Sequence, residues 1–348
     1  MAIRKRNTYL CLVVLVGGLS LVFLFLETRQ LSLDKNTGST EFRRQGSRHS
    51  LETSEESEPE NYLGAIQGSR RHGQRQACSS LGFYDDAIYG DGEVLSRSYL
   101  RNMHLSLKHQ TMICLIPKVG SSNWMGTLLI LEGILNSTEG MGTQAINKLG
   151  KKHIKSLSSF SRQERQAILK NFTTVLFVRN PFTRLLSAFR DRLETYPNRN
   201  IFHRKRHNKK IFLQFGNHPA EEIPDESVKS EKYNVTFREF VDYYLNGTTD
   251  VHWREQYKVC PPCIDYDYLG NIETFENDYN QILSMIGADE NVPRVRTSHT
   301  THSSADKILR QYYGTLSSEQ MRKLTDILGV DMKLFQYDVP EILRRGER

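Results

Sequence analysis

Two basic residues in this chain stand where chemistry on an anion is possible. Lys118 lies in Pro117-Lys118-Val119-Gly120-Ser121-Ser122-Asn123, between an apolar run and a helix-like stretch. Arg179 follows the apolar run Thr173–Val178 and precedes Asn180-Pro181, with Ser187 one helical turn further than Thr183. Such a lysine and glycine, with two hydroxyls opening a helix, suit a phosphate or sulfate group: backbone N–H groups and the helix dipole face the anion while the ammonium adds a point charge. G-x-x-x-x-G-K-[ST] is absent, so the loop is not a Walker A motif.

The elements that must position these residues can be read from pattern. Thr173–Val178 and Thr111–Ile116 are short, continuous, mostly β-branched or apolar runs, as expected for strands buried on both faces of a parallel sheet. After the first, Asn180 can cap a helix with Pro181 in its opening turn, where a missing N–H costs nothing. Phe182, Leu185, Leu186 and Phe189 then form its apolar stripe, with Thr183, Ser187 and Arg190 on a polar side. After the second, Asn123–Leu135 sets Trp124, Leu128, Leu131 and Leu135 on one helical face. Two strand–loop–helix units thus place a basic residue at the carboxyl end of a strand, where open α/β sheets bind anions.

PKVGSSNW followed downstream by VRNPFTRLLSAFRDR resembles the two nucleotide-binding motifs of the Golgi carbohydrate sulfotransferases, in the branch with the chondroitin, dermatan and N-acetylgalactosamine 4-O-sulfotransferases. Further matches are His252-Trp253, Cys260-Pro261-Pro262-Cys263, Tyr266-Asp267-Tyr268-Leu269-Gly270 with Glu273-Thr274, and Leu334-Phe335-Gln336-Tyr337, so the resemblance runs from about Cys78 to Pro340. Ser121-Ser122 stands where many relatives have Cys-Thr, and keeps the hydroxyls. The resemblance implies an α/β, P-loop-like sulfotransferase fold, with a central parallel sheet flanked by helices. It implies 3′-phosphoadenosine 5′-phosphosulfate (PAPS) as sulfuryl donor, without a required metal. Lys118 and the Pro117–Asn123 loop would hold the 5′-phosphosulfate, with Lys118 assisting the leaving phosphate, and Arg179 and Ser187 would hold the 3′-phosphate. The implied acceptor is a glycosaminoglycan or glycoprotein glycan, with the 4-hydroxyl of N-acetylgalactosamine favoured.

Transfer to a hydroxyl calls for a general base. His153, in Lys151-Lys152-His153, lies between the two units, in a place similar to that of the catalytic histidine of cytosolic relatives; His252 is the alternative. The run Asn198–Phe212 carries Arg204, Lys205, Arg206, Lys209 and Lys210, expected to meet an anionic glycan rather than nucleic acid. A net charge of +7 points the same way.

The chain has 348 residues and 38% apolar content, low enough to suggest that part of it is unstructured. Residues 1–7 carry Arg4, Lys5 and Arg6, and the apolar, uncharged Leu10–Leu26 approaches the roughly 20 residues of a bilayer span. We therefore expect a cytoplasmic tail at 1–7, a signal anchor at 8–26, a polar, flexible lumenal stem at 27–76 and one catalytic domain at 77–348. That is a single-pass type II protein of the Golgi membrane, its catalytic domain lumenal. The sequons at Asn136, Asn171, Asn234 and Asn246 suit that compartment. Cys78, Cys114, Cys260 and Cys263 then form an even set in an oxidising lumen, with three pairings possible and a buried thiol open for Cys114. Cys260-Pro-Pro-Cys263 lacks a second Cys/His pair at metal spacing, which argues against zinc.

Two rival readings share these features. A type II Golgi glycosyltransferase would use an Asp-x-Asp metal motif, and Asp265-Tyr266-Asp267 has that form. A non-catalytic glycan-binding protein of the same fold would not depend on Lys118.

Overall fold

The computed structural model describes residues 58–83, 95–194, 201–218, 229, 232–288, 292 and 302–344. Its sheet comprises β1 (Met103–Ser106), β2 (Thr111–Cys114), β3 (Thr173–Val178) and β4 (Tyr268–Asn271), in that spatial order. Around it run α1 (Glu58–Ser80), α2 (Arg97–Asn102), α3 (Ser121–Leu131), α4 (Thr143–His153), α5 (Arg162–Asn171), α6 (Pro181–Arg192), α7 (Ile201–Phe215) and α8 (Phe237–Leu245). The chain ends in α9 (Phe275–Met285), α10 (Asp306–Tyr313), α11 (Ser318–Phe335) and α12 (Glu341–Arg344).

The two apolar runs become the two inner strands, and they are buried because helices cover the sheet. β2 and β3 are parallel in the register Thr111↔Thr173 to Cys114↔Leu176, and β4 lies parallel to β3. The expected all-parallel sheet needs one correction: β1 is antiparallel to β2. Only four residues, Leu107 to Gln110, join β1 and β2, which permits a hairpin but not the crossover that parallel strands require. The sheet is therefore mixed.

The register matters for the site. Because β2 and β3 run parallel side by side, the segments that follow them leave the sheet at the same edge. Asn180 caps α6 by accepting from the Phe182 N–H at 3.0 Å, with Pro181 in the first turn, as the sequence predicts. Gly270 on β4 lets the Phe177 ring lie over it, since a Cβ there would meet that ring at 2.4 Å. Phe177 thereby reaches Trp124 of α3 and Phe275 of α9, each with ring centroids 5.3 Å away.

The expected flexible stem is corrected over Glu58–Gln76, which is helical as part of α1. The Gln67 side chain donates to the Leu269 carbonyl at 3.0 Å and accepts its N–H at 3.1 Å, covering the open edge of β4 as a strand would. Arg70 pairs with Asp278 at 3.0 Å. Cys78 is bonded to Cys263, and Cys114 to Cys260, so two disulfides tie α1 and β2 to the Cys260–Cys263 turn. Composition suggests disorder there because these contacts are polar and distant in sequence, and leave no apolar period along the helix. The expected tail, anchor and stem up to residue 57 lie outside the described residues. Among the described residues no helix is long and apolar enough to cross a membrane.

Candidate functional site

The Pro117–Gly120 turn carries two left-handed residues, Lys118 at φ 74° and Gly120 at φ 85°. For Gly120 that conformation is free, and it starts α3 as its N-cap. For Lys118 it costs roughly 1 kcal/mol, a strain that persists only where the surroundings impose it. They do so from α6. Arg184, missed in the sequence and buried to 3% exposure, donates to the carbonyls of Pro117 at 3.0 Å, Arg254 at 2.7 Å and Val251 at 3.3 Å. Burial lowers its pKa to about 10, which leaves it charged at neutral pH. Its position in a helix otherwise read as amphipathic gives no sign of this: α6 is buried from Pro181 to Phe189 on all sides.

Arg179 stands beside that turn. Its guanidinium donates to the Lys118 carbonyl at 3.3 Å, to Thr183 Oγ1 at 3.0 Å and to Ser304 Oγ at 2.8 Å. Its main chain is clasped by Gln256, whose amide accepts the Arg179 N–H at 3.0 Å and donates to the Arg179 carbonyl at 2.9 Å. Thr183, Ser187 and Asp191 follow at intervals of four along α6 and so share one helix face. Ser187 is buried on that face. Asp191 ends the row 3.1 Å from the Lys118 ammonium, and also meets Arg192 Nε at 2.9 Å. Burial lowers the Lys118 pKa to about 8 although Asp191 acts to raise it. The Asp191 carboxyl is held below the usual range: burial would raise it, and the Lys118 and Arg192 charges outweigh that. Its spacing of four from Ser187 is the one sign of Asp191 in the sequence.

The two candidate bases are placed differently. His153 ends α4, exposed, and its side chain has no hydrogen bond or ion pair among the described residues. His252 is largely buried and joins the Lys118 cluster. Its Nδ1 bonds to Asp250 Oδ1, which also accepts the His252 backbone N–H at 3.0 Å. The His203 ring stands edge-on to it with centroids 4.6 Å apart, and Lys118 and Arg192 both act on its charge. Burial lowers the pKa of His252, opposed by Asp250, and takes His203 to about 4. The ligating atoms of His203, Asp250 and His252 lie within 4.8 Å of one another, a metal-like spacing. Lys118, Arg192 and Arg206 all bear on this trio, Arg206 lying 4.0 Å from Asp250, and that charge disfavours a divalent cation and favours an anion.

The basic run forms α7, and only part of it faces solvent. Arg204 is buried at 8% exposure, Lys205, Arg206 and Lys210 are exposed, and Lys209 is intermediate. Lys209 and Lys210 lie over the rings of Tyr233 and Tyr243 at 5.9 and 5.5 Å. The four sequon asparagines, Asn136, Asn171, Asn234 and Asn246, are all exposed. The Asp-x-Asp string is used up structurally. Asp265 pairs with Arg75, and Asp267 accepts from the N–H and hydroxyl of Thr174 at 2.8 and 3.0 Å.

Comparison with known proteins accords with this geometry. The family model described as "Sulfotransferase family" matches residues 101–338, from the end of α2 to just past α11. Human carbohydrate sulfotransferase 9 is 31% identical over 79% of this chain and 60% of its own length. Mouse carbohydrate sulfotransferase 8 is 31% identical over 80% and 65%, and mouse carbohydrate sulfotransferase 11 is 29% identical over 72% and 71%. The chain thus spans less than two thirds of the first two relatives. No solved structure matches it. With the family model covering both strand–loop–helix units, the sheet edge between them and the His252 segment, this chain belongs to the sulfotransferase family.

Proposed function

We propose that this protein is a PAPS-dependent carbohydrate O-sulfotransferase acting on a glycosaminoglycan or glycoprotein glycan, with the 4-hydroxyl of N-acetylgalactosamine as the favoured acceptor. The observation that carries the reading is the contact of Arg179 with the Lys118 turn at 3.3 Å, which sets two anion-binding groups side by side where β2 and β3 end. The residues fit the donor. Lys118, Gly120, Ser121 and Ser122 offer an ammonium, amides and hydroxyls at the start of α3, suited to a phosphosulfate. Asn123 Oδ1 there is buried without a hydrogen-bond partner, an acceptor left for a ligand donor. Arg179 and Ser187 on α6 suit the 3′-phosphate.

In the transfer, the acceptor oxygen forms its bond to sulfur while the bond from sulfur to the bridging phosphate oxygen breaks. The electron pair of that bond stays on the 5′-phosphate, where Lys118 stabilises it. His252 takes the acceptor proton, being the candidate base on whose charge Lys118 acts. The exposed cations of α7 draw an anionic glycan toward the cluster. We further propose a type II protein of the Golgi membrane, anchored by residues 8–26. Its two disulfides suit an oxidising lumen, and its four exposed sequons suit glycosylation.

The test is transfer of radiolabelled sulfate from PAPS to a panel of desulfated glycosaminoglycans and N-glycans, in EDTA. Label on one glycan class that vanishes in Lys118→Ala supports the reading. Activity only with a sugar nucleotide and Mn²⁺ would overturn it in favour of a glycosyltransferase, and full function in Lys118→Ala would favour a binding protein.

A further inference from the structure

We infer that Asp250 is a positioning residue, which fixes His252 with its Nδ1 protonated and its Nε2 free to accept a proton, and that His203 holds the ring in place. The inference rests on the sulfotransferase reading above and deepens it. Nothing in the sequence motifs marks Asp250, and the reading of the nucleotide site does not use it.

Geometry carries the argument. Asp250 Oδ1 accepts both the Nδ1–H and the backbone N–H of His252. A carboxylate held by the main chain of the residue it orients cannot swing away without breaking that second bond. Being acceptor-only when ionised, it selects the tautomer that donates from Nδ1. The other Asp250 oxygen lies 4.0 Å from Arg206, so both ends of the carboxylate are engaged. His203 fills the side of the His252 ring edge-on, at an interplanar angle of 87°. Its Nδ1 is buried with no hydrogen-bond partner, so it contributes to the contact by shape.

The charges facing His252 explain why a partner is needed. Lys118 comes from the turn before α3, Asp191 and Arg192 from α6, and His203, His207 and Arg206 from α7. Cations outnumber carboxylates in this set, and a proton arriving on His252 would meet net repulsion. Asp250 is the carboxylate bonded to the ring itself. It therefore both aims the imidazole and stabilises the imidazolium formed when the acceptor loses its proton, the division of labour known from histidine–carboxylate pairs in hydrolases.

Two measurements on the full chain test this. The first is the histidine ring NMR spectrum of wild type and Asp250→Asn, with the His252 signals assigned by their loss in His252→Gln. Wild type should carry Nδ1–H, while Asp250→Asn should move toward Nε2–H and titrate about one pH unit lower. The second is steady-state transfer. Asp250→Asn should lower kcat by about 100-fold, the scale of lost base catalysis, with KM for PAPS unchanged and the acid limb of the pH profile shifted to lower pH. Asp250→Glu should recover part of kcat, and His203→Phe should keep most of it. An unchanged tautomer in Asp250→Asn overturns the inference. So does a large loss in His252→Gln beside none in Asp250→Asn, which spares the base assignment. Full activity in His252→Gln overturns both. If wild type transfers no sulfate, the sulfotransferase reading falls, and the NMR comparison still decides whether Asp250 sets the tautomer.

Discussion

Lys118 Nζ lies 3.1 Å from Asp191 Oδ2, and both side chains are about five-sixths buried. The pair links the turn after β2 to the last turn of α6, so the two anion-binding units meet through a charge that an incoming anion must share. Lys118 titrates near 8, because burial outweighs the help of Asp191. Its positive charge is therefore present below about pH 8 and lost above it. Affinity for 3′,5′-ADP, followed by calorimetry from pH 6.5 to 9.5, should fall as pH rises through that value. The nucleotide's phosphates are already ionised above pH 7, so they do not produce the fall. Asp191→Asn removes a group that raises the Lys118 pKa and should move the fall to lower pH. A flat profile from 7 to 9.5 would show that Lys118 is not the group that meets the nucleotide.

Arg179→Lys and Ser187→Ala should weaken 3′,5′-ADP far more than 5′-AMP, because only the first carries a 3′-phosphate. Loss of a hydrogen bond to a charged group costs about 1.5–3 kcal/mol, roughly 10- to 150-fold in affinity. Lysine is preferred to alanine at 179 because the guanidinium also makes three protein hydrogen bonds. Equal losses for both nucleotides would reassign the pair.

Arg184→Met keeps volume and removes three donors from the carbonyls of Pro117, Val251 and Arg254. It should destabilise the protein by about 3 kcal/mol, since buried acceptors are left unpaired. Nucleotide affinity should fall with it, because the strained Lys118 turn loses its brace. Thermal unfolding and calorimetry on one preparation would check both effects. A lowered melting temperature with unchanged affinity would mean that Arg184 serves the fold alone.

Neutralising Lys205, Arg206 and Lys210 together should raise KM for a chondroitin chain and flatten its salt dependence, leaving PAPS affinity unchanged. Arg204 is left out of that set because it is buried, and Arg204→Gln should act on stability instead. Wild type and triple variant responding alike to salt would remove α7 from the acceptor site.

Reduction of Cys78–Cys263, or Cys78→Ser with Cys263→Ser, should cost about 2–5 kcal/mol, as for a native disulfide in a secreted domain. The bond closes a loop of 185 residues and fastens α1 to the body. Gln67→Leu tests the same helix without touching sulfur. It leaves the Leu269 N–H unpaired at the sheet edge, where the carbonyl keeps its bond from Arg70 at 3.0 Å, and exchange of that amide should rise. Unchanged exchange would show that α1 is dispensable to the sheet.

Local rules made part of this protein legible from its sequence. The strand at Thr173–Val178, the Asn180 cap, Pro181 in the first turn and the glycine at 120 are each decided within a few residues, by burial pattern and backbone sterics. The same locality put Lys118 and Arg179 at strand ends, and parallel pairing of two apolar strands was enough to bring them together. What the sequence left open depends on residues far apart. The four cysteines from Cys78 onward allow three pairings, and only folding joins Cys114 to Cys260 across 146 positions. His153 and His252 look alike as lone histidines, and the packing of the Asp250 segment against α6 and α7 is what takes His252 to Lys118. Arg184 points inward and α1 docks although both look polar, because their partners are backbone carbonyls and side chains on other elements. Apolar burial leaves a period along the chain, whereas a polar contact between distant segments leaves none.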